Sequence, residues 1–297
     1  AGPGAIDDVI ASWESAVASS PGEVALLVTD DWMPKADVAR LRATLPDAVV
    51  VRTRVPSGGP PRLWPVTALA IATALTHFDF EYLVKFDTDA LATGPGWVAG
   101  IQAAIGREQG QPPVSAATDR KAQLQHSAEP GGGAPIGIAG AFVDRPDGEV
   151  EIDAPYHRRV LEGELPRDAT LADWHRRALA GGWPHGEIVQ GGCLVLTRAC
   201  CQAIADEGAL TYRPRLRTIV SEDLLLTVLA YALGFRAASL GSDRGPLAVA
   251  NKHLPVPLEE TVDPASRWLV AHSVRLGLGG EPEAEVRAAA AAARTHW

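Results

Sequence analysis

Two aspartates one residue apart, Asp87 and Asp89, follow an apolar run that ends at Phe86. The run from Tyr82 to Phe86 is typical of a buried strand. Two carboxylates this close repel each other unless a cation lies between them or one is protonated. Because ligands of open α/β sheets bind where strands end, a Mg²⁺ or Mn²⁺ site is one interpretation. The alternative is a turn in which one aspartate caps the next helix.

A second pair of acids, Glu222 and Asp223, follows Ser221 at the start of a strongly apolar stretch that predicts a helix. An acid held at a helix N-terminus can accept a proton from an attacking hydroxyl. The residue types also suit a purely structural role. Serine is a good N-cap, and acids in the first turn interact favourably with the helix dipole. Both interpretations stay open at this point.

Two adjacent glycines, Gly191 and Gly192, follow Gln190 inside a predicted strand. Glycines weaken a strand, and they mark either a close backbone approach by a ligand or another chain, or a bulge. His272 follows a further apolar run, so it is either a packed histidine or a neutral third ligand for Mn²⁺. Arg275, three residues on, could bind a phosphate with two hydrogen bonds.

Trp183 lies in the segment Gly-Gly-Trp-Pro, whose composition predicts a loop. An exposed indole in a loop is able to stack on an acceptor sugar, and this is the role we expect for it. The alternative is a tryptophan that anchors the core.

Four short motifs occur in a fixed order along the chain, and together they resemble a known group of enzymes. They are K-F-D-T-D, Q-G-G-C-L-V-L-T-R, S-E-D-L-L-L and A-H-S-V-R. This order is similar to that of inverting GT-A-fold glycosyltransferases, closest in style to the β-1,3-galactosyl/N-acetylglucosaminyltransferase and Fringe-like group. Thr88 departs from the group's acidic triplet, and an insertion at 144–182 has no counterpart.

The resemblance implies a Mn²⁺- or Mg²⁺-dependent site for a nucleotide-diphosphate sugar, with a uridine-linked donor expected. Asp89 would bind the metal directly. Asp87 would lie near the ribose or bind the metal through water. His272 would be the remaining metal ligand, and Arg275 would contact the diphosphate.

The resemblance also implies how the sugar would be transferred. Asp223 would be the catalytic base that deprotonates the acceptor hydroxyl, and Glu222 would hold the donor sugar or orient Asp223. Gln190, Gly191 and Gly192 would line the junction between donor and acceptor.

The nucleotide base has its own expected contacts near the start of the chain. Thr29 and Asp30, at the end of the first predicted strand, would face the base, and Arg62 is a further candidate.

The elements around these motifs predict an α/β fold. Alternating strands and helices across residues 23–86 favour a mostly parallel sheet with helices on both faces. We expect a single GT-A-like catalytic domain over 1–297, with a nucleotide-binding half at about 1–118 and an acceptor-binding half at about 119–297. The predicted strands are 23–29, 48–53, 82–86, 114–118, 136–143, 187–197 and 235–240. The main predicted helices are 6–20, 34–45, 63–77, 171–179, 198–207, 222–233 and 281–295, with a loop at 119–135 and irregular structure between 241 and 280.

The composition limits the class of protein. The 297 residues carry a formal net charge of −9 that is spread along the chain, which argues against nucleic acid as the main partner. No apolar run reaches the ~20 residues that a membrane helix requires, so no membrane span is expected. The three cysteines do not form a disulfide or zinc pattern, which favours reduced thiols and a cytoplasmic location.

Two other functions fit parts of the pattern. A sugar-phosphate nucleotidyltransferase would use a similar sheet, but it usually has a glycine-rich phosphate loop with a basic residue near the first strand, where this chain has acids. A catalytically inactive sugar-binding module is the second alternative, because a fold alone does not establish activity.

Overall fold

The structure is a computed structural model, and it describes residues 5–20, 22, 24–54, 56, 63–110, 133–142, 159–184, 186–213, 220–241, 245–250, 252–263 and 265–295. Strands and helices are interspersed along the chain, so the fold is α/β. The α-helices are α1 (Ala5–Ala18), α2 (Lys35–Thr44), α3 (Trp64–His77), α4 (Trp97–Glu108), α5 (Ala169–Ala180), α6 (Arg198–Asp206), α7 (Glu222–Ala232), α8 (Leu258–Val262) and α9 (Glu283–Arg294).

The strands form three sheets in the described part of the chain. They are β1 (Leu27–Asp30), β2 (Val49–Arg52), β3 (Tyr82–Phe86), β4 (Leu91–Ala92), β5 (Ile136–Phe142), β6 (Val189–Thr197), β7 (Arg236–Ser239), β8 (Leu247–Val249) and β9 (Val270–His272). The central sheet has the order β3-β6-β5-β7. The other two sheets are the pair β1-β2 and the sheet β4-β9-β8.

The expected mostly parallel sheet is wrong, because only the pair β1-β2 is wholly parallel, and the central sheet and the sheet β4-β9-β8 are mixed. Strand β6 runs antiparallel to both of its neighbours, β3 and β5, whereas β5 and β7 are parallel. The register pairs Phe86 at the end of β3 with Cys193 in the middle of β6. Buried strands are apolar in either orientation, so the composition of β6 does not reveal its direction.

The expected helices on both faces of the sheet are confirmed. Side chains alternate along β6, so consecutive residues enter different layers. Leu194 and Leu196 pack in a core with residues of α3, α5, α6 and α7. Cys193 and Val195 pack in a second core with residues of α4 and the sheet β4-β9-β8. Strand β6 is therefore buried on both faces, and its Gly191 and Gly192 lie just before these core residues.

Most predicted elements are present with ends shifted by a few residues. The region expected to be irregular before the last helix contains β8, α8 and β9. These strands have only three residues each, too short for a periodic pattern to be visible in the sequence. The predicted strand at 114–118 lies outside the described residues, as does most of the predicted loop at 119–135.

None of the helices that the structure describes is long and apolar enough to cross a membrane. The three cysteines, Cys193, Cys200 and Cys201, are free and buried. Burial raises the pKa of Cys193 and of Cys200 to about 12, so these thiols are protonated at neutral pH.

Candidate metal and catalytic site

The chain leaves β3 at Asp87 and turns at once. The amide of Asp87 donates to the carbonyl of Gly192 on β6 (3.0 Å), and the amide of Ala90 donates to the carbonyl of Asp87 (3.0 Å). This turn directs the next strand, β4, away from the central sheet. Asp89 lies inside the turn and is buried. The two aspartates therefore lie at a strand end, as the sequence predicts.

The carboxylate of Asp89 is held by three side chains that follow or end β9. Ser273 Oγ donates to Asp89 Oδ2 (2.7 Å), and Arg275 Nε lies 2.7 Å from the same oxygen. His272 Nε2 lies 3.4 Å from Asp89 Oδ1. Burial opposes ionisation of Asp89, but hydrogen bonds from His272 and Ser273 and the charge of Arg275 outweigh it, and they lower the pKa of Asp89. The group is a carboxylate at neutral pH.

Asp87, Asp89 and His272 form a cluster that could hold a metal ion. One ligand atom from each residue lies within 4.8 Å of the other two. A carboxylate pair with a neutral imidazole is a donor set that suits Mn²⁺, and the carboxylates also suit Mg²⁺. Two findings fit this use. His272 Nδ1 is buried with no hydrogen-bond partner among the described residues. Lys85 bonds only Oδ1 of Asp87, and Ser273 and Arg275 bond only Oδ2 of Asp89, whose Oδ1 faces His272.

Gly192 makes room for the imidazole of this cluster. A Cβ atom at Gly192 would overlap the ring of His272 at Nδ1, Cε1 and Cγ. The second glycine therefore allows the close approach of β6 and the end of β9, which are far apart in sequence. Both interpretations of the glycine pair therefore apply, because the register between β5 and β6 also shifts between Val189 and Leu194, across the two glycines.

Glu222 and Asp223 lie at the first turn of α7, on the other side of the glycine pair. A Cβ atom at Gly191 would lie 3.2 Å from Glu222 Oε1 and 3.5 Å from Asp223 Oδ2. Ser221 occupies the N-cap position, as the structural interpretation requires, but its hydroxyl makes no capping hydrogen bond. Asp223 Oδ1 accepts instead from the amide of Leu224 (2.8 Å).

The two acids differ in their environment. Glu222 is buried, whereas Asp223 is partly exposed. Burial raises the pKa of Glu222 to about 7, and the charge of Asp223 adds to this, while the charge of Lys85 opposes it. Glu222 is thus buried in the protein, whereas Asp223 remains accessible at the surface of the site.

Lys85 joins the two groups of acids, and it was not among the site residues expected from the sequence. Its Nζ donates to Asp87 Oδ1 and to the carbonyl of Gly191, each at 2.5 Å, and lies 3.6 Å from Glu222 Oε1. The spacing of Lys85 and Asp87 in the sequence could have indicated this contact. A charged residue two positions before Asp87 in a strand shares its face, because side chains alternate with a period of two. Ser273, the other missed residue, has no such signal.

Trp183 does not present the exposed indole that its loop setting predicts, whereas the place of Gln190 at a donor–acceptor junction stays a prediction. Trp183 is only 3% exposed, and its Nε1 donates to the carbonyl of Glu187 (2.9 Å), so the expectation of an exposed sugar platform is wrong. It is a core residue that packs near α5 and α7. Gln190 is largely buried and its Nε2 donates to the carbonyl of Phe142 (3.0 Å), while its Oε1 has no partner among the described residues.

Asp30 ends β1, but its carboxylate is already engaged. Oδ1 accepts from the amide of Met33 (2.6 Å) and Oδ2 from Nε of Arg52 (2.5 Å). A cavity of about 410 Å³ adjoins it, lined by Asp30, Lys35, Val38, Ala39, Arg42, Val50 and Arg52. Thr29 precedes Asp30 in β1, and Arg62 lies outside the described residues. The contact of these residues with a nucleotide base remains a prediction.

Comparison of the chain with protein-family models, with curated proteins and with solved structures finds no significant match.

Proposed function

We propose that the protein is a metal-dependent, inverting glycosyltransferase with a GT-A-like catalytic domain. It would transfer a sugar from a nucleotide-diphosphate donor, most simply a uridine-linked one, to an acceptor hydroxyl. One observation carries the proposal. The Gly191-Gly192 backbone lies between Glu222 and Asp223 on one side and His272, with the metal cluster, on the other. Four motifs spread over almost 200 residues therefore meet at one place.

The donor side of the proposed site consists of Asp87, Asp89 and His272, which would hold Mn²⁺ or Mg²⁺. The ion would act as a Lewis acid that offsets the charge of the leaving diphosphate. Ser273 and Arg275 would keep Oδ2 of Asp89 in place and leave Oδ1 toward His272. Residues that orient the ligands in this way usually affect metal affinity nearly as much as the ligands do. Arg275 is 67% exposed, so its remaining guanidinium nitrogens are accessible to a phosphate.

The acceptor side consists of Asp223, which would take the proton from the attacking hydroxyl. A general base must reach its substrate and remain ionised at the working pH. Asp223 is the accessible member of the acid pair. Glu222 is buried beside Lys85, so it is suited to orienting groups and not to direct contact with an acceptor. Attack from the side opposite the leaving group would invert the configuration at the anomeric carbon.

The decisive experiment is a donor-cleavage screen with and without Mn²⁺. Nucleotide sugars are incubated with the protein, and release of the nucleoside diphosphate is measured. We expect Mn²⁺-dependent release from at least one donor. Release of pyrophosphate from a nucleoside triphosphate would indicate a nucleotidyltransferase instead. Binding of a nucleotide sugar without any release would indicate a sugar-binding module.

A substitution of His272 tests the proposed metal site separately. His272→Ala should weaken Mn²⁺ binding by at least about 10-fold, because even the loss of an outer-shell partner of a metal ligand typically costs about 10- to 100-fold. His253→Ala is the matched control, since this histidine bonds to the carbonyl of Leu254 and is outside the cluster. Equal Mn²⁺ affinity of the two variants in calorimetric titration would assign His272 a packing role only.

A further inference from the structure

Lys85 is a charged residue in an otherwise apolar strand. Its side chain is 19% exposed, and its neighbours in β3 are Val84 and Phe86. Burial of an ammonium group is costly unless hydrogen bonds and opposite charges compensate for it. An apolar residue of the same length would extend the core at no such cost. The partners of Lys85 therefore explain its presence.

These partners belong to three different elements. The first partner is Oδ1 of Asp87, the residue that directly follows β3. The second is the carbonyl of Gly191 in β6, and the third is Oε1 of Glu222 in the first turn of α7. Burial alone would lower the pKa of Lys85, but the negative charges of Asp87, Glu222 and Asp223 outweigh it and raise this pKa above its ordinary value. The ammonium group is a fixed positive charge among three carboxylates.

We infer that Lys85 is a positioning residue that holds the metal-binding acids and the catalytic acids at a fixed separation. This inference rests on the function proposed above, and it deepens it. Lys85 donates a hydrogen bond to Oδ1 of Asp87, so Oδ2 stays available to bind the metal. Lys85 also contacts both the Gly191 carbonyl and Glu222, and it thereby fixes the first turn of α7 against β6. Asp223, the residue after Glu222, is therefore held opposite the metal cluster.

This arrangement predicts opposite effects on two measurements. The positive charge of Lys85 lies beside Asp87, so it repels a bound cation, and its removal should strengthen Mn²⁺ binding. Its removal should also leave the N-terminal turn of α7 free to move relative to the donor. Misplacement of a reacting group by about 1 Å can cost about 10²-fold in rate. Transfer should therefore become slower although the metal binds more tightly.

The test compares Lys85→Met with the wild-type protein. Methionine keeps the length of the side chain and removes its charge. Calorimetric titration with Mn²⁺ alone should show affinity about threefold tighter or more. With a donor identified by the cleavage screen, kcat should fall about tenfold or more while the donor KM changes little. Lys252→Met, at an exposed lysine outside the site, is the matched control and should change neither quantity.

A rescue experiment separates positioning from a general loss of structure. Lys85→Ala leaves space for a small alkylammonium ion, and added ethylammonium should restore part of kcat in this variant. Ethylammonium should not stimulate the wild-type protein or Lys252→Met. A variant that is merely poorly folded would show no such recovery.

Several outcomes would overturn the inference. If Mn²⁺ binding and kcat both decrease in Lys85→Met and ethylammonium restores nothing, Lys85 is a structural residue only. Unchanged affinity and unchanged kcat would show that it has no role in the site. If the wild-type protein cleaves no donor, the proposed function fails by itself. The Mn²⁺ titration then still tests whether Lys85 acts on the metal-binding acids. Unchanged or weaker Mn²⁺ affinity in Lys85→Met would show that it does not.

Discussion

The imidazole of His272 lies against the backbone of Gly192, in the space that a Cβ atom would fill. This contact joins the end of β9 to the first half of β6, although His272 and Gly192 are about 80 residues apart in the chain. It also explains why a glycine is present in a strand, where glycine is otherwise unfavourable. The metal cluster depends on it, because His272 supplies the only nitrogen ligand of the cluster found in the described residues.

Gly192→Ala should therefore damage the metal cluster. The added methyl group overlaps the His272 ring, and relief of the overlap must move either the imidazole or β6. We expect a loss of about 1–3 kcal/mol in the free energy of unfolding, the usual cost of overpacking, together with weaker Mn²⁺ binding. Urea denaturation and calorimetry would measure the two effects. Gly133→Ala is the control, because a Cβ atom there meets nothing within 4 Å. Wild-type Mn²⁺ affinity in Gly192→Ala would show that His272 is not a ligand.

Asp223→Asn should separate binding from transfer. The amide keeps the shape of the side chain and its hydrogen bond from the Leu224 amide, but it cannot accept the acceptor's proton. We expect unchanged affinity for the donor with Mn²⁺ and a loss of transfer of ~10²-fold or more. Asp206→Asn, at an exposed acid on α6, should retain full activity. Near-normal turnover of Asp223→Asn would place the base elsewhere.

Glu222 should make the stability of the protein depend on pH. Its pKa is raised to about 7 in the folded state from an ordinary value of 4.5. Between these two values the folded protein binds more protons than the unfolded chain, so the free energy of unfolding falls as pH rises. The slope from this group is at most about 1.4 kcal/mol per pH unit.

Denaturation of the metal-free protein between pH 4.5 and 7 would test this dependence. Glu222→Gln should flatten the curve, since glutamine does not titrate. Glu260→Gln, at an exposed acid in α8, should leave the slope as in the wild type. If Glu222→Gln retains the full slope, another group is responsible for it.

Trp183→Ala tests the corrected role of this tryptophan. Because the indole is buried and hydrogen-bonded to the Glu187 carbonyl, its loss should cost about 3–5 kcal/mol of stability, as for other buried tryptophans. Trp32→Ala, at a tryptophan that is 50% exposed, should change stability by about 0.5 kcal/mol or less. Equal thermal stability of the two variants would contradict the assignment of Trp183 to the core.

Some of the site follows from the sequence because it depends on residue types and local spacing. Asp87 and Asp89 at a strand end, Glu222 and Asp223 at a helix start, and the unusual glycines of β6 are all visible without a structure. Their neighbouring strands and helices are predicted for the same reason, since hydrophobic periodicity is a local property.

The rest was decided by the tertiary structure. The direction of β6 depends on which strands it joins, and an apolar segment satisfies either direction equally well. The burial of Trp183 depends on the helices that cover it, and the three-residue strand that carries His272 forms only where it pairs with β4 and β8. The sequence determined which groups are able to do chemistry. Only the packing of segments far apart in the chain brought His272, Gly192 and the acids together, because such contacts have no counterpart in local composition.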